Sequence, residues 1–217
     1  MTNNKALILF IFTFFILEAP FARSKFPAHW WARPELHQKV PDWEILPDQG
    51  ISGKTLILSK RNELGILSNF AATPIIYEGT KYASLEGAWQ SMKYPESKKD
   101  LRYGNDSLPF TRKEVEKMVG FEAKRAGSLA SRLMKKHDVN YVTYKGKKLT
   151  YRTESKGEHY RLIKSLMEEK LRQNEGVKKI LKSTGKLILL PDHHSSSKVI
   201  PPAWKYYQIW MDLREKI

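Results

Sequence analysis

The stretch Ala83-Ser84-Leu85-Glu86-Gly87-Ala88-Trp89-Gln90-Ser91-Met92-Lys93-Tyr94 discloses more about this chain than any other. Ser84 can cap a helix through its side-chain oxygen and Pro95 disfavours extending one, so the spacing predicts a helix from Ser84 through about Tyr94. At 3.6 residues per turn, Glu86, Trp89, Gln90 and Lys93 fall on one stripe, while Leu85, Ala88 and Met92 line the adjoining face. A large indole beside an acid, an amide and an amine is what a stacking pocket with a general acid/base requires. The plainer alternative is a solvated face carrying a weak ion pair.

Around this helix the other signals are short. Lys54 to Ser59 has β propensity, and Pro74 to Tyr77, Glu78-Gly79, Thr80 to Tyr82 reads as two strands about a two-residue turn. Tyr141 to Tyr151 repeats the pattern about Lys145-Gly146. Thr111 with Glu114, and Ser155 with Glu158, form capping-box signatures, the second opening a helix to about Asn174. A short helix over Val177 to Ser183 stops at Gly185, and Pro202 precedes a last helix over Ala203 to Lys216. Several helices with few short strands, joined as antiparallel hairpins rather than βαβ units, predict an α+β fold, compact and mostly helical.

The first 22 residues have a different character. Met1 to Lys5 is polar with one positive charge, Ala6 to Leu17 is apolar apart from Thr13, and Glu18, Pro20 and Ala22 break the run, the order of a signal peptide. In a helix the apolar run reaches about 18 Å, short of the roughly 30 Å hydrocarbon core of a bilayer. The expected division is therefore a signal peptide at 1–22, an extended lead-in at 23–53 rich in Pro and Trp, and one domain at 54–217. Export to a periplasm or the medium follows, with no stable membrane insertion after cleavage. Nothing here indicates an oligomeric state.

The net charge is +15 and remains so without residues 1–22, which remove Lys5 and Glu18. Such an excess favours anionic partners, including nucleic acid, without choosing among them. Cysteine is absent, which excludes disulfides, thiolate catalysis and a cysteine-ligated zinc site. The segment Pro191-Asp192-His193-His194 follows a short apolar run. Its adjacent histidines suit ligand recognition or structural hydrogen bonding; neighbours in sequence seldom converge on one ion, so no metal and no cofactor is expected.

The run Glu63-Leu64-Gly65-Ile66-Leu67-Ser68-Asn69-Phe70, followed by Tyr82 to Tyr94, resembles the NADAR (YbiA-like) family, with its Ser-Asn-Phe turn and Glu-x-x-aromatic-Gln-x-x-Lys-aromatic helix. The similarity continues through Phe121 to Gly127, Met167 to Asn174 and Thr184-Gly185 into the Pro-Asp-His-His and Pro-x-Ala-Trp segments, over roughly residues 54 to 217. The resemblance implies a hydrolase of N-glycosidic bonds at ribose C1, acting on ADP-ribose attached to a nucleobase or a related nucleotide-like N-glycoside. Export argues against cytosolic riboflavin-pathway intermediates as the substrate. Two departures stand out: the usual His-Tyr after the glutamate is Gly87-Ala88, and Pro-Asp-His-His replaces an Asp-x-x-Trp-Gly segment.

The resemblance further implies roles. Glu86 is the catalytic carboxylate, and Lys93 is either an amine nucleophile on C1 or a phosphate ligand. Asn69, Gln90 and Asp192 are expected to hydrogen-bond ribose or base, and Trp89 and Trp204 to stack on it. Lys124 and Arg125 are candidates for phosphates. Ser68, Phe70, His193 and His194 complete the binding set, and Glu158 occupies the position of a family acidic residue. Two rival functions remain: an ADP-ribose/NAD-binding module without catalysis, and an exported basic nucleic-acid-binding protein.

Overall fold

Two glycine-containing turns fix the local architecture. Glu78 and Gly79 have φ of 46° and 83°, and Lys145 and Gly146 have 46° and 76°. Positive φ at both central residues defines the turn whose twist matches antiparallel strands. β2 (Ile75–Tyr77) thus pairs with β3 (Thr80–Tyr82), and β4 (Tyr141–Tyr144) with β5 (Lys147–Thr150). The computed structural model describes residues 25–36, 38–195 and 199–217. The expected signal peptide at 1–22 lies outside the described residues.

The third sheet departs from the expected hairpins. β1 (Thr55–Ile57) runs parallel to β6 (Ile188–Leu190), with Leu56 opposite Leu189. No turn signature marks a pair so distant in sequence; what joins them is burial, since Leu56, Ile57 and Leu189 are all shielded from solvent.

Among the described residues six helices accompany these strands: α1 (Leu85–Ser91), α2 (Arg112–Val115), α3 (Gly120–Lys136), α4 (Glu158–Gln173), α5 (Glu175–Ser183) and α6 (Tyr206–Arg214). The fold is α+β. The Thr111–Glu114 capping box forms, with both reciprocal hydrogen bonds in place. The Ser155–Glu158 box does not: Gly157 is the N-cap of α4, Glu158 is its first residue, and Ser155 turns back to Thr153. The expected last helix is two pieces, a 3-10 turn at Pro202–Trp204 and then α6, separated at Lys205.

Helix α1 lies inside the molecule, not on its surface. All seven of its residues are buried, between α2, α3 and α4. Ser84 caps it by accepting from Gly87 N at 2.9 Å and donates in turn to Met118 O at 2.9 Å. A cap of this kind contributes about 1 kcal/mol. Gly87 permits the close approach, because a Cβ there would sit 2.6 Å from the Met118 carbonyl oxygen. Gly87 thus lets the helix pack directly on the backbone of residues 115–118.

The lead-in is anchored rather than loose. Trp30 is 1% exposed and its indole donates to Glu63 at 2.6 Å, while Trp31 donates to Thr55 O at 2.8 Å. Its described residues include two 3-10 turns, Ala28–Trp31 and Pro47–Gln49. Among the described residues no helix is long and apolar enough to cross a membrane.

Candidate active site

Where α1 ends, three successive carbonyls would be left without intrahelical partners. Each is claimed by a donor from elsewhere. Arg102 Nη1 donates to Met92 O at 3.1 Å, Tyr103 OH to Lys93 O at 2.5 Å, and Arg112 Nη1 to Tyr94 O at 3.2 Å. Thr143 N, from β4, adds a second bond to Met92 O at 3.0 Å. Arg102 is itself held by Asp100 and Thr143. Although the helix stops at Ser91, the backbone of Lys93 is fixed and its side chain keeps the direction that the helical stripe predicts.

At the other end of α1, Glu86 N donates to Asn69 O at 2.9 Å, tying the Ser68-Asn69-Phe70 turn to the first turn of the helix. Lys170, fully buried, donates to Ser68 O at 2.7 Å from beneath. These contacts bring the polar stripe and the Ser-Asn-Phe turn onto one cavity of about 780 Å³. That volume falls in the range of small-molecule sites.

Glu86 and Lys93 both face this cavity, and both are about 95% shielded from solvent. Burial raises the Glu86 carboxyl above its ordinary pKa, against the opposing pull of the Gln90 amide, which donates to Oε1 at 2.7 Å, and of Lys124, Lys93 and Lys60. Burial likewise lowers the Lys93 ammonium, against Tyr151 and Glu86, which favour its charge. Lys93 Nζ donates to Ser131 Oγ at 2.9 Å and to Gly127 O at 3.4 Å. Desolvation thus biases both groups toward their neutral forms.

The walls carry polar atoms with nothing to bond. Asn69 Oδ1, Gln90 Oε1 and Trp204 Nε1 are buried without a protein partner. Orphaned atoms of this kind cost about 1–3 kcal/mol each unless a ligand or water meets them. Gln90 lies so close to α3 that a Cβ at Gly127 would sit 1.7 Å from its Oε1. Asp192 is almost fully buried, ion-paired to Lys60, and receives His193 Nδ1 at 3.1 Å. Burial would raise its carboxyl, but His193 and Lys60 hold it below the ordinary range.

Twelve of the fourteen expected site residues line the cavity: Ser68, Asn69, Phe70, Glu86, Trp89, Gln90, Lys93, Lys124, Asp192, His193, His194 and Trp204. Arg125 and Glu158 do not. Arg125 is exposed one position round α3 from Lys124, hence about 100° away. Glu158 is exposed at the start of α4, beside a smaller hollow.

Other residues on the wall were not among the expected site residues, and α3 was not delimited from the sequence. On α3, Lys124, Gly127, Ser128, Ser131 and Arg132 face the cavity, a spacing of three and four that marks one helix face. Tyr151 and Arg152 follow β5. Trp89 Nε1 donates to the Tyr151 hydroxyl at 3.4 Å, and Lys93 Nζ lies 5.4 Å from the centre of its ring. Burial opposes ionisation of this phenol, but Lys93, Trp89 and Arg152 together draw its pKa below the ordinary value. Arg152 holds a left-handed φ of 61° and lays its guanidinium over Tyr151 at 5.3 Å and Trp204 at 5.8 Å. With Glu86 and Lys93 biased toward their neutral forms and Lys60 paired to Asp192, the cations Lys124, Arg132 and Arg152 remain on the wall, so the cavity suits an anion. Among the described residues no group of three His, Asp or Glu is placed to hold a metal ion.

This is an α+β domain whose buried, motif-bearing helix forms the floor of a cationic pocket. No family model and no curated protein matches the chain. Among solved structures it is similar to the NMR structure of the E. coli protein YbiA, at 16% identity and a TM-score of 0.40, over 77% of this chain and 88% of that one.

Proposed function

We propose that this protein hydrolyses a ribose C1–N bond, with ADP-ribose attached to a nucleobase, or a related nucleotide-like N-glycoside, as the substrate class. The observation that carries the reading is the pairing of Glu86 and Lys93, each desolvated toward its neutral form, in one cationic cavity whose Asn69, Gln90 and Trp204 atoms await partners. The motif resemblance of residues 63–94 supports it. Breaking such a bond develops positive charge at C1, so the site must help the base depart and deliver a nucleophile.

Glu86 protonates the departing base, which leaves with the C1–N electron pair. The Lys93 amine bonds to C1 and passes a proton back to the Glu86 carboxylate. The nitrogen lone pair then expels the ring oxygen from C1, Glu86 protonating that oxygen, to give an iminium; water adds to it and yields a proton to the Glu86 carboxylate, and the carbinolamine collapses as Glu86 returns that proton to the amine, which departs and leaves a free ribose aldehyde. In the variant of this scheme where Lys93 binds phosphate, water attacks C1 directly. Lys124, Arg132 and Arg152 hold phosphates, Asn69 Oδ1 and Gln90 Oε1 accept from ribose hydroxyls or an exocyclic amine, and Trp204 stacks on the base. The apolar run at residues 6–17 supports export, with cleavage near Ala22.

The test is to incubate the protein with ADP-ribosylated DNA and RNA, free NAD and ribosyl-pyrimidines, and to follow C1–N cleavage by mass. Glu86→Gln is expected to abolish release while leaving the thermal unfolding curve in place. Borohydride added during turnover is expected to trap ribose on Lys93 if the amine is the nucleophile. Binding without turnover by the unmutated protein would sink the catalytic reading in favour of a nucleotide-binding module. Affinity that depends only on polyanion length and falls linearly with log salt would favour nucleic-acid binding instead.

A further inference from the structure

The lead-in, which lies outside the region of family resemblance, contributes to the cavity. Residues 43–45 run antiparallel to residues 192–194: His194 N donates to Trp43 O at 2.8 Å, Ile45 N to Asp192 O at 2.9 Å, and Glu44 bridges to His193. Glu44 is also gripped by Arg61, Nε to Oε1 at 2.6 Å and Nη2 to Oε2 at 2.7 Å, a two-bond fork that fixes direction as well as distance. Trp43 is thus held on both sides by backbone and ion-pair contacts. Its side chain lines the cavity mouth and is 45% exposed, the most exposed of the six tryptophans.

A tethered indole left open at the mouth of a pocket has a recognisable use. It offers a rigid apolar face that costs little side-chain entropy to present, and any flat heterocycle can stack on it. We infer that Trp43 forms an outer stacking subsite for a second aromatic base, at the end of the ligand remote from C1, so that the preferred ligand is a dinucleotide-like molecule and not a simple riboside. This rests on the glycosidase reading for which end of the ligand lies at Glu86 and Lys93. The subsite itself needs only binding.

Two probes separate the possibilities: ADP-ribose, which carries a base remote from its free C1, and ribose 5-phosphate, which lacks one. Calorimetric titration of the full chain is expected to show Trp43→Ala weakening ADP-ribose roughly tenfold, in line with the loss of one base stack, with ribose 5-phosphate unchanged and Trp43→Phe restoring part of the loss. An unchanged ADP-ribose affinity overturns the inference. So does equal weakening of both probes, which would make Trp43 a wall support, or an unmutated protein that binds ADP-ribose no more tightly than ribose 5-phosphate. If the Trp43 effect appears while no N-glycoside is ever cleaved, the subsite stands and the catalytic reading falls.

Discussion

Lys93 has a different environment from the lysines on the basic surface. It is buried, it has no ion pair among the described residues, and it donates to a serine hydroxyl and a backbone carbonyl. A charged ammonium loses most of its hydration in such a place, and the cost appears as a lowered pKa. Lysine side-chain NMR across pH is therefore expected to show one resonance, lost in Lys93→Met, that deprotonates below the bulk of the lysines. A second outlier should titrate near 7 and vanish in Lys170→Met. If the Lys93 signal titrates with the surface lysines, the amine is charged at neutral pH and the nucleophile scheme gives way to phosphate binding. His159 shows the same physics from a histidine: wedged edge-on between Trp89 and Tyr151, it is pushed down to about 4 by burial and by Lys93.

Helix α1 meets its neighbours through two glycines with opposite consequences. At Gly87 an added methyl would meet backbone, Met118 O at 2.6 Å and Val115 O at 3.0 Å, and backbone at a helix crossing cannot step aside. Gly87→Ala is expected to cost about 1–3 kcal/mol despite its gain in helix propensity, read as a fall in Tm. At Gly127 the three atoms nearest to the same methyl all belong to the Gln90 side chain, which borders an open cavity and can swing into it. There the propensity gain of up to about 1 kcal/mol offsets the strain, so Gly127→Ala should leave Tm nearly unchanged while displacing the Gln90 amide from Glu86 and abolishing ligand binding. A Gly127→Ala protein that binds normally would show that Gln90 does not have to occupy its observed place. These two contacts also show what was legible in the sequence. The stripe on α1, the Ser84 cap and both hairpins were readable because their causes lie within a few residues. The α3 wall was missed because that helix starts at Gly120 without a side-chain cap, although Lys124, Gly127, Ser128 and Ser131 carry the spacing that would have marked it. Arg125 was misplaced for the complementary reason: its planar guanidinium made it a phosphate candidate, and one step of helical rotation turned it away. Trp43 and the β1–β6 pair depend on partners far along the chain, which no local pattern encodes.

The molecule as a whole places a second desolvated lysine beneath its site, and this has a thermodynamic signature. Lys170 is fully buried, bonds only to Ser68 O, lies 6.0 Å from the Trp210 ring, and has no carboxylate partner among the described residues. Burial lowers it to about 7, against roughly 10.4 for an unfolded lysine. Between those values the unfolded chain binds more protons than the folded one, so this group makes stability rise with pH by about 1.4 kcal/mol per unit. Its contribution is fully present above the unfolded pKa and is lost as pH falls through about 7. Denaturant unfolding at several pH values, compared between the unmutated protein and Lys170→Met, isolates the term, because every other titrating group cancels in the difference. The advantage of methionine should be greatest at and below pH 7 and shrink steadily toward pH 10. Against it stands a constant loss of about 1–3 kcal/mol for the orphaned Ser68 carbonyl, which moves the curve but not its slope. A difference that is flat with pH would mean that Lys170 stays charged in the fold. The Ser68-Asn69-Phe70 turn would then rest on an ammonium that retains its charge in the core.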